Sequence, residues 1–189
     1  MPHSISKQLI SHAAGTPEED VVGARSAFGL FYAAFADGRL VVVDAEKARV
    51  VRAVVTSLSD VVDLEVGDEN NVYLTSRGSA DLYEVDLETG ALRRKLIFPA
   101  AGGTRTRSRG ASLLRVGDRL FVGVERTLDG ESVGGAVLVV DIAAFSIEEV
   151  IELDGLREDR ESGIVEKASG PRVLDLRAVS LEWSRSSAA

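Results

Sequence analysis

The sequence predicts an all-β chain of stacked four-stranded antiparallel blades, and three observations carry that prediction. First, a phrase recurs in which apolar residues lead to an aspartate, four turn residues and a second amphipathic strand. It reads Val41-Val42-Val43-Asp44, Tyr83-Glu84-Val85-Asp86 and Leu138-Val139-Val140-Asp141. Second, an apolar residue follows six positions after each aspartate: Val50, Leu92 and Ile147. Third, the aspartates lie 42 and then 55 residues apart, near the roughly 40 to 50 residues of a propeller blade. The longer second interval implies an inserted loop.

Composition agrees with one globular domain over residues 1–189. The apolar content is 45% and aromatic residues make up 5%, so the layers between sheets should be aliphatic. A formal charge of −8 argues against a general nucleic-acid surface, which needs clustered Lys and Arg. The chain has no cysteine, which removes disulfides, thiolate chemistry and Cys-ligated metal. No stretch approaches a membrane span, and Met1-Pro2-His3-Ser4 does not open a signal peptide. The expectation is therefore a soluble chain of unknown compartment, with neither nucleic acid nor membrane as partner.

The elements follow in order. Ile5 to Gly15 aligns without a gap on Leu92 to Gly102, so residues 4–14 read as an outer strand whose blade has no earlier strands in sequence. The first blade occupies about 15–58, with the Asp37-Gly38 turn between strands Phe28 to Phe35 and Arg39 to Asp44. The second occupies about 59–101. Its strands are Val61 to Val66, Asn71 to Ser76, Leu82 to Asp86 and Ala91 to Phe98, joined by tight turns. The third occupies about 102–155, where Gly117-Asp118 repeats Gly67-Asp68. Residues 156–189 form a closing segment or tail. Two arrangements compete: the tail and the N-terminal strand complete a split fourth blade, removing sheet edges, or the chain is part of a larger propeller with open edges that permit self-association.

The run Leu82-Tyr83-Glu84-Val85-Asp86-Leu87-Glu88-Thr89-Gly90-Ala91-Leu92 resembles the YVTN-type and quinoprotein-like β-propeller repeats, in which a strand ending in Val-Asp precedes a Thr-Gly turn. The resemblance covers about residues 4–155. It implies a propeller with ligands or partners at one face, and it does not choose among scaffolds, lyases, lactonases and dehydrogenases. Asp141-Ile142-Ala143-Ala144-Phe145 departs from the Thr-Gly turn. No tryptophan docking motif is visible and Trp183 is the single Trp, which weakens a quinone-cofactor reading. No cofactor is expected.

Residues able to carry chemistry are few. His3 and His12 lack metal-ligand spacing, and Asp129-Gly130-Glu131 lacks the alternate oxygen ligands of a calcium loop, so no metal site is expected. A lactonase-like or lyase-like propeller would draw on groups such as Asp63, Glu65, Asn70 and Asn71 at its central opening, with a divalent metal. Asp44, Asp86 and Asp141 recur too regularly for a site and read as turn caps that accept backbone N–H bonds.

The cluster Thr104-Arg105-Thr106-Arg107-Ser108-Arg109-Gly110 stands out. In an extended segment Arg105, Arg107 and Arg109 project to one side. This segment is expected to connect an outer strand to the next inner strand, and to share a rim with the long loop from Arg126 to Gly135. The candidate ligand-binding residues are thus Arg105, Arg107, Arg109, Asp129 and Glu131. They suit a protein or small anionic ligand through forked guanidinium hydrogen bonds. The favoured function is a non-enzymatic binding module.

Overall fold

The structure is a computed structural model and describes residues 21–100, 106–129, 131–153, 156–158 and 165–167. The expected outer strand at 4–14, both histidines, Arg105 and Trp183 lie outside these residues. The chain divides into two compact units, Met1–Ile97 and Phe98–Ala189.

The first unit holds two four-stranded antiparallel sheets. One contains β1 (Val21–Ala27), β2 (Leu30–Phe35), β3 (Arg39–Asp44) and β4 (Arg49–Val55); the other contains β5 (Val61–Val66), β6 (Asn71–Ser76), β7 (Asp81–Asp86) and β8 (Leu92–Ile97). The second unit holds a third such sheet of β9 (Thr106–Val116), β10 (Arg119–Leu128), β11 (Glu131–Asp141) and β12 (Ser146–Leu153). In each sheet the strands lie side by side in chain order, the arrangement of a propeller blade. A short pair, β13 (Leu156–Glu158) with β14 (Val165–Lys167), follows within the expected closing segment.

Side-chain alternation explains the packing of the first two blades. On β2 and β3, Tyr32, Ala34, Leu40 and Val42 join Leu64, Val72, Leu74 and Val85 of the second blade in one core. Their alternate neighbours Ala33, Phe35, Val41 and Val43 form a second cluster on the opposite face. The middle strands are thus buried on both faces, whereas β4, β8 and β12 are largely exposed.

The recurring aspartates cap their turns, as the sequence predicts. Asp44 Oδ1 accepts the Lys47 N–H at 3.1 Å, Asp86 Oδ1 accepts Glu88 and Thr89 N–H at 2.7 and 2.9 Å, and Asp141 Oδ1 accepts the Ala144 N–H at 2.6 Å. Four residues beyond each aspartate the backbone turns left-handed, at Ala48 (φ 46°), Gly90 (φ 75°) and Phe145 (φ 51°). Seven residues beyond, each outer strand carries one unpaired residue at a β-bulge: Val51, Arg93 and Glu148. The divergent turns of the first and third blades therefore keep the geometry of the Thr89-Gly90 turn without its glycine. Inner strands repeat a bulge too, at Val22, Val62 and Ala111.

Three expectations need correction. Phe28 is not the start of a strand: Phe28 (φ 52°) and Gly29 (φ 74°) form a two-residue turn that joins Ala27 to its partner Leu30. Positive φ at both positions gives the twist that a tight hairpin requires. The stretch after Arg126 is not a loop, because Thr127 pairs with Ser132 and Leu128 with Glu131, with Val133 bulged out. The segment from Thr106 onward is not a connector but the inner strand β9. The extra length of the third repeat is taken up mainly in strands β9 to β11, which run 10 or 11 residues against six in β5 to β7.

A left-handed conformation costs an L-residue about 1–2 kcal/mol, partly offset by the unfolded-state freedom that glycine adds. We predict that Ala48→Gly, at an exposed turn position, stabilises the protein by about 0.5–1 kcal/mol. Gly90→Ala should destabilise it by about 2 kcal/mol or more, since a Cβ there would also sit 2.5 Å from the Val55 carbonyl oxygen. Urea unfolding of both variants checks the pair, and destabilisation by Ala48→Gly would contradict the left-handed turn.

Candidate functional site

Two polar constellations occupy the first unit. The inner strands β1 and β5 meet through Arg25, whose Nε donates to Glu65 Oε2 at 3.1 Å while its Nη2 donates to both Asp63 oxygens at 3.2 and 3.1 Å. Nη1 donates to the Ala24 carbonyl at 3.1 Å. Asp63 is fully buried and its Oδ1 also accepts the Leu64 N–H at 2.9 Å. Gly23 permits this approach, since a Cβ there would stand 2.9 Å from both Asp63 Oδ1 and Leu64 N. Burial by itself would lower the Arg25 pKa; the Asp63 and Glu65 carboxylates outweigh it and raise the pKa above the usual arginine range. The guanidinium is held charged at all accessible pH.

Asp63 and Glu65 are therefore engaged in joining two blades. Of the other two polar groups considered for a catalytic opening, Asn70 lies in the β5–β6 turn and Asn71 is the first residue of β6. Asp68 Oδ1 accepts the Asn70 N–H at 2.7 Å, Asp68 Oδ2 accepts from Asn71 Nδ2 at 2.8 Å, and the Asn70 carbonyl accepts the Leu87 N–H at 2.8 Å. This network ties the β5–β6 turn to the β7–β8 turn. Together with the Phe28 tip the two turns border an open hollow of about 510 Å³, lined by Phe28, Asp68, Glu69, Asn71, Glu88 and Arg93 among others. A smaller hollow of about 260 Å³ adjoins it at Glu69 and Asn70 and includes Arg52. Arg93 is ion-paired with Asp86, and Arg52 donates to the Glu69 carbonyl at 3.3 Å.

The arginine cluster lies in the second unit. Arg107 is exposed and Arg109 half-buried on β9, where they oppose Thr127 and Glu125 of β10. Opposed residues of an antiparallel pair share a face, so Arg107 and Arg109 project to one side as expected and Glu125 tempers their charge. Ser108 between them points the other way, buried, its Oγ donating to the Pro99 carbonyl at 2.9 Å. Asp129 occupies the β10–β11 turn with φ 50°, and the backbone of Glu131 opens β11. Arg126, on the Ser108 face, donates from Nη2 to Glu152 Oε1 at 2.5 Å while its buried Nε lacks a partner among the described residues. Leu128 and Val133 are exposed near this tip. Sequence reasoning passed over Phe28 and Arg126. An X-Gly pair between two alternating strands was the available signal for the Phe28 turn, whereas nothing local marks Arg126.

No protein-family model matches the chain, and no curated protein sequence matches it. Solved structures do. The β-propeller domain of Cps50 (Swd1) from Myceliophteria thermophila superposes with a TM-score of 0.52 at 12% identity, covering 72% of this chain and 45% of that one. Hsv2 from Kluyveromyces lactis gives a TM-score of 0.50 at 10% identity over 72% of this chain and 37% of that one. A europium-containing methanol dehydrogenase gives 0.50 at 17% identity over 71% of this chain and 25% of that one. The chain thus spans less than half the length of each of these three. At such identities the likeness defines the fold, and the class is β-propeller.

Two predictions follow from the charged groups. Removing one member of a buried ion pair strands the others, at about 3–5 kcal/mol. Arg25→Leu should therefore cost about 3–5 kcal/mol in chemical unfolding, and Arg25→Lys should recover only part because an ammonium cannot bridge two carboxylates with a planar fork. The Thr89 N–H and then the Arg93 guanidinium lower the Asp86 pKa to about 2. An unfolded aspartate titrates near 3.9, so between these values the unfolded chain binds the extra proton. The Asp86 contribution is complete above about pH 4 and falls away as pH drops toward about 2. Acid unfolding of Asp86→Asn should lack that component, and an unchanged acid limb would refute it.

Proposed function

We propose that this chain is a non-enzymatic β-propeller repeat module that binds a protein partner, as in the repeats of YVTN type that its turns resemble. One observation carries the reading: the third blade lengthens its inner hairpins into a tip that the other two blades lack, with Arg107 and Arg109 on one face and exposed Leu128 and Val133 near the end. Exposed aliphatic side chains beside guanidinium groups are the mixture that protein interfaces favour. Extended paired backbone also offers a rigid platform, which lowers the ordering cost of docking. The carboxylates Asp63 and Glu65, which a lactonase-like or lyase-like site would need, are held by Arg25, and this weighs against the enzymatic reading.

In this proposal Arg107, Arg109, Asp129 and the adjoining Arg105 and Glu131 form the contact surface, with an acidic protein segment as the partner. A photo-crosslinking residue placed at Val133 should capture a discrete partner, while one at the exposed Lys95 position should not. Arg107→Ala with Arg109→Ala should then weaken binding of that partner about tenfold or more, the scale of a lost charge-assisted contact of about 1.5–3 kcal/mol. Unchanged affinity would remove the arginine face from the interface.

A further inference from the structure

The larger hollow of the first unit combines features that no requirement of blade packing explains. Phe28 is 55% exposed at a hairpin tip and sits in the left-handed region. A bulky residue there carries backbone strain and, so exposed, gains little burial in return. Glu69 and Glu88 are exposed and form no ion pair among the described residues, and Arg93 is neutralised by Asp86. The border is accordingly negative.

The floor supplies a second, independent observation. Asn71 is nine-tenths buried and its Oδ1 has no hydrogen-bond partner among the described residues. Its orientation is fixed, because Nδ2 donates to Asp68, so the free end is an acceptor. The hydroxyl of the fully buried Tyr32 likewise lacks a partner among the described residues. Burial first, then the charge of Glu69, raises the Tyr32 pKa, with Arg52 and Asp68 also felt. Buried polar atoms are nearly always satisfied in folded proteins, and an unpartnered acceptor in the lining of the hollow points to a ligand that completes it.

The chemistry of that ligand follows. An acceptor in the lining, carboxylates on the border and an aromatic ring at the tip all select a cation with N–H donors. Among the described residues no three acidic groups come together closely enough to share a metal ion. The charge is spread over a hollow of about 510 Å³, a size suited to an organic group. We propose that this hollow receives the guanidinium or ammonium side chain of a basic peptide segment, with Phe28 against the cation, Glu69 and Glu88 around it, and Asn71 Oδ1 accepting one of its N–H groups. The inference rests on the protein-binding reading of the chain but uses residues of the first unit, none of them those assigned to the third-blade tip.

The test is a nuclear magnetic resonance titration of the full chain. Acetyl-Ala-Arg-Ala-amide and its Lys counterpart would be the probes, with the norleucine peptide as neutral control and spermine as a non-peptide cation. Saturable shifts confined to the amides of Phe28, Glu69 to Asn71 and Glu88 are expected with the basic peptides and not with norleucine. Phe28→Ala and the exposed double variant Glu69→Gln, Glu88→Gln should each raise the apparent Kd about fivefold or more, with folded spectra retained. Arg107→Ala with Arg109→Ala should leave the titration unchanged, so failure of the tip assignment and failure of this one are distinguishable. Shifts scattered over acidic positions, or affinities indifferent to Phe28, would overturn the proposal. Tighter, Phe28-dependent saturation by spermine would assign the hollow to a free polyamine and overturn the peptide source.

Discussion

The aspartate-capped turn between the third and fourth strand of each blade is the constraint on which the blades depend. A carboxylate at the end of the third strand accepts backbone N–H groups two or three residues ahead, which closes the turn and brings one residue into a left-handed conformation. The return strand then starts one register position out of step, and a bulge absorbs the difference. Cap, left-handed residue and bulge are one mechanical unit. The outer strand's side-chain alternation is set by that bulge, because a shift of one residue exchanges the two faces of a strand.

Within the first unit, blade packing rests on close backbone approach as much as on apolar burial. The connector from Thr56 to Asp60 is pinned to the preceding turn, with the Thr56 N–H and hydroxyl donating to the Gly38 carbonyl and the Val61 N–H donating to Ala36. Gly38, Gly23 and Gly90 stand where a Cβ would meet neighbouring backbone at less than 3.0 Å. Between these clamps sits the aliphatic layer of Leu64, Val72, Leu74 and Val85 against Val42 and Leu40, and the Arg25 ion pairs close its inner edge. Such a pair adds less to stability than its Coulomb energy suggests, since three charged groups leave water to form it. Its geometric role is to fix which strand faces which.

The sites arise where the repeat is broken. In the third blade the hairpins run past the length of their counterparts, exposing Leu128 and Val133. In the first blade the tip residue is an exposed phenylalanine beside glycine. Both departures place side chains outside the packed layers, where they are free to meet a partner.

The sequence by itself determined the blade pattern, since strand alternation, turn residues and the Asp-centred phrase are local signals. Strands β5 to β7 stand within a residue of their expected bounds, the Asp37-Gly38 hairpin forms, and Asp44, Asp86 and Asp141 cap as their spacing implied. The alternation that sets Arg107 and Arg109 on one face was also legible. Only the tertiary structure decided which polar groups meet. Arg25 is 38 residues from Asp63 and 40 from Glu65, and no periodicity links them. The hollow beside Phe28 likewise needs turns from two blades, and the orphaned Tyr32 and Asn71 atoms have meaning only once neighbours surround them. The length of the third blade shows the same limit: the polar run from Arg126 to Gly135 reads as loop locally, yet Arg126 to Leu128 become strand because Ser108 to Thr106 on one side and Gly134 to Glu131 on the other pair with them. Local chemistry sets the strand and the turn; long-range hydrogen bonding and burial set the register of one element on the next.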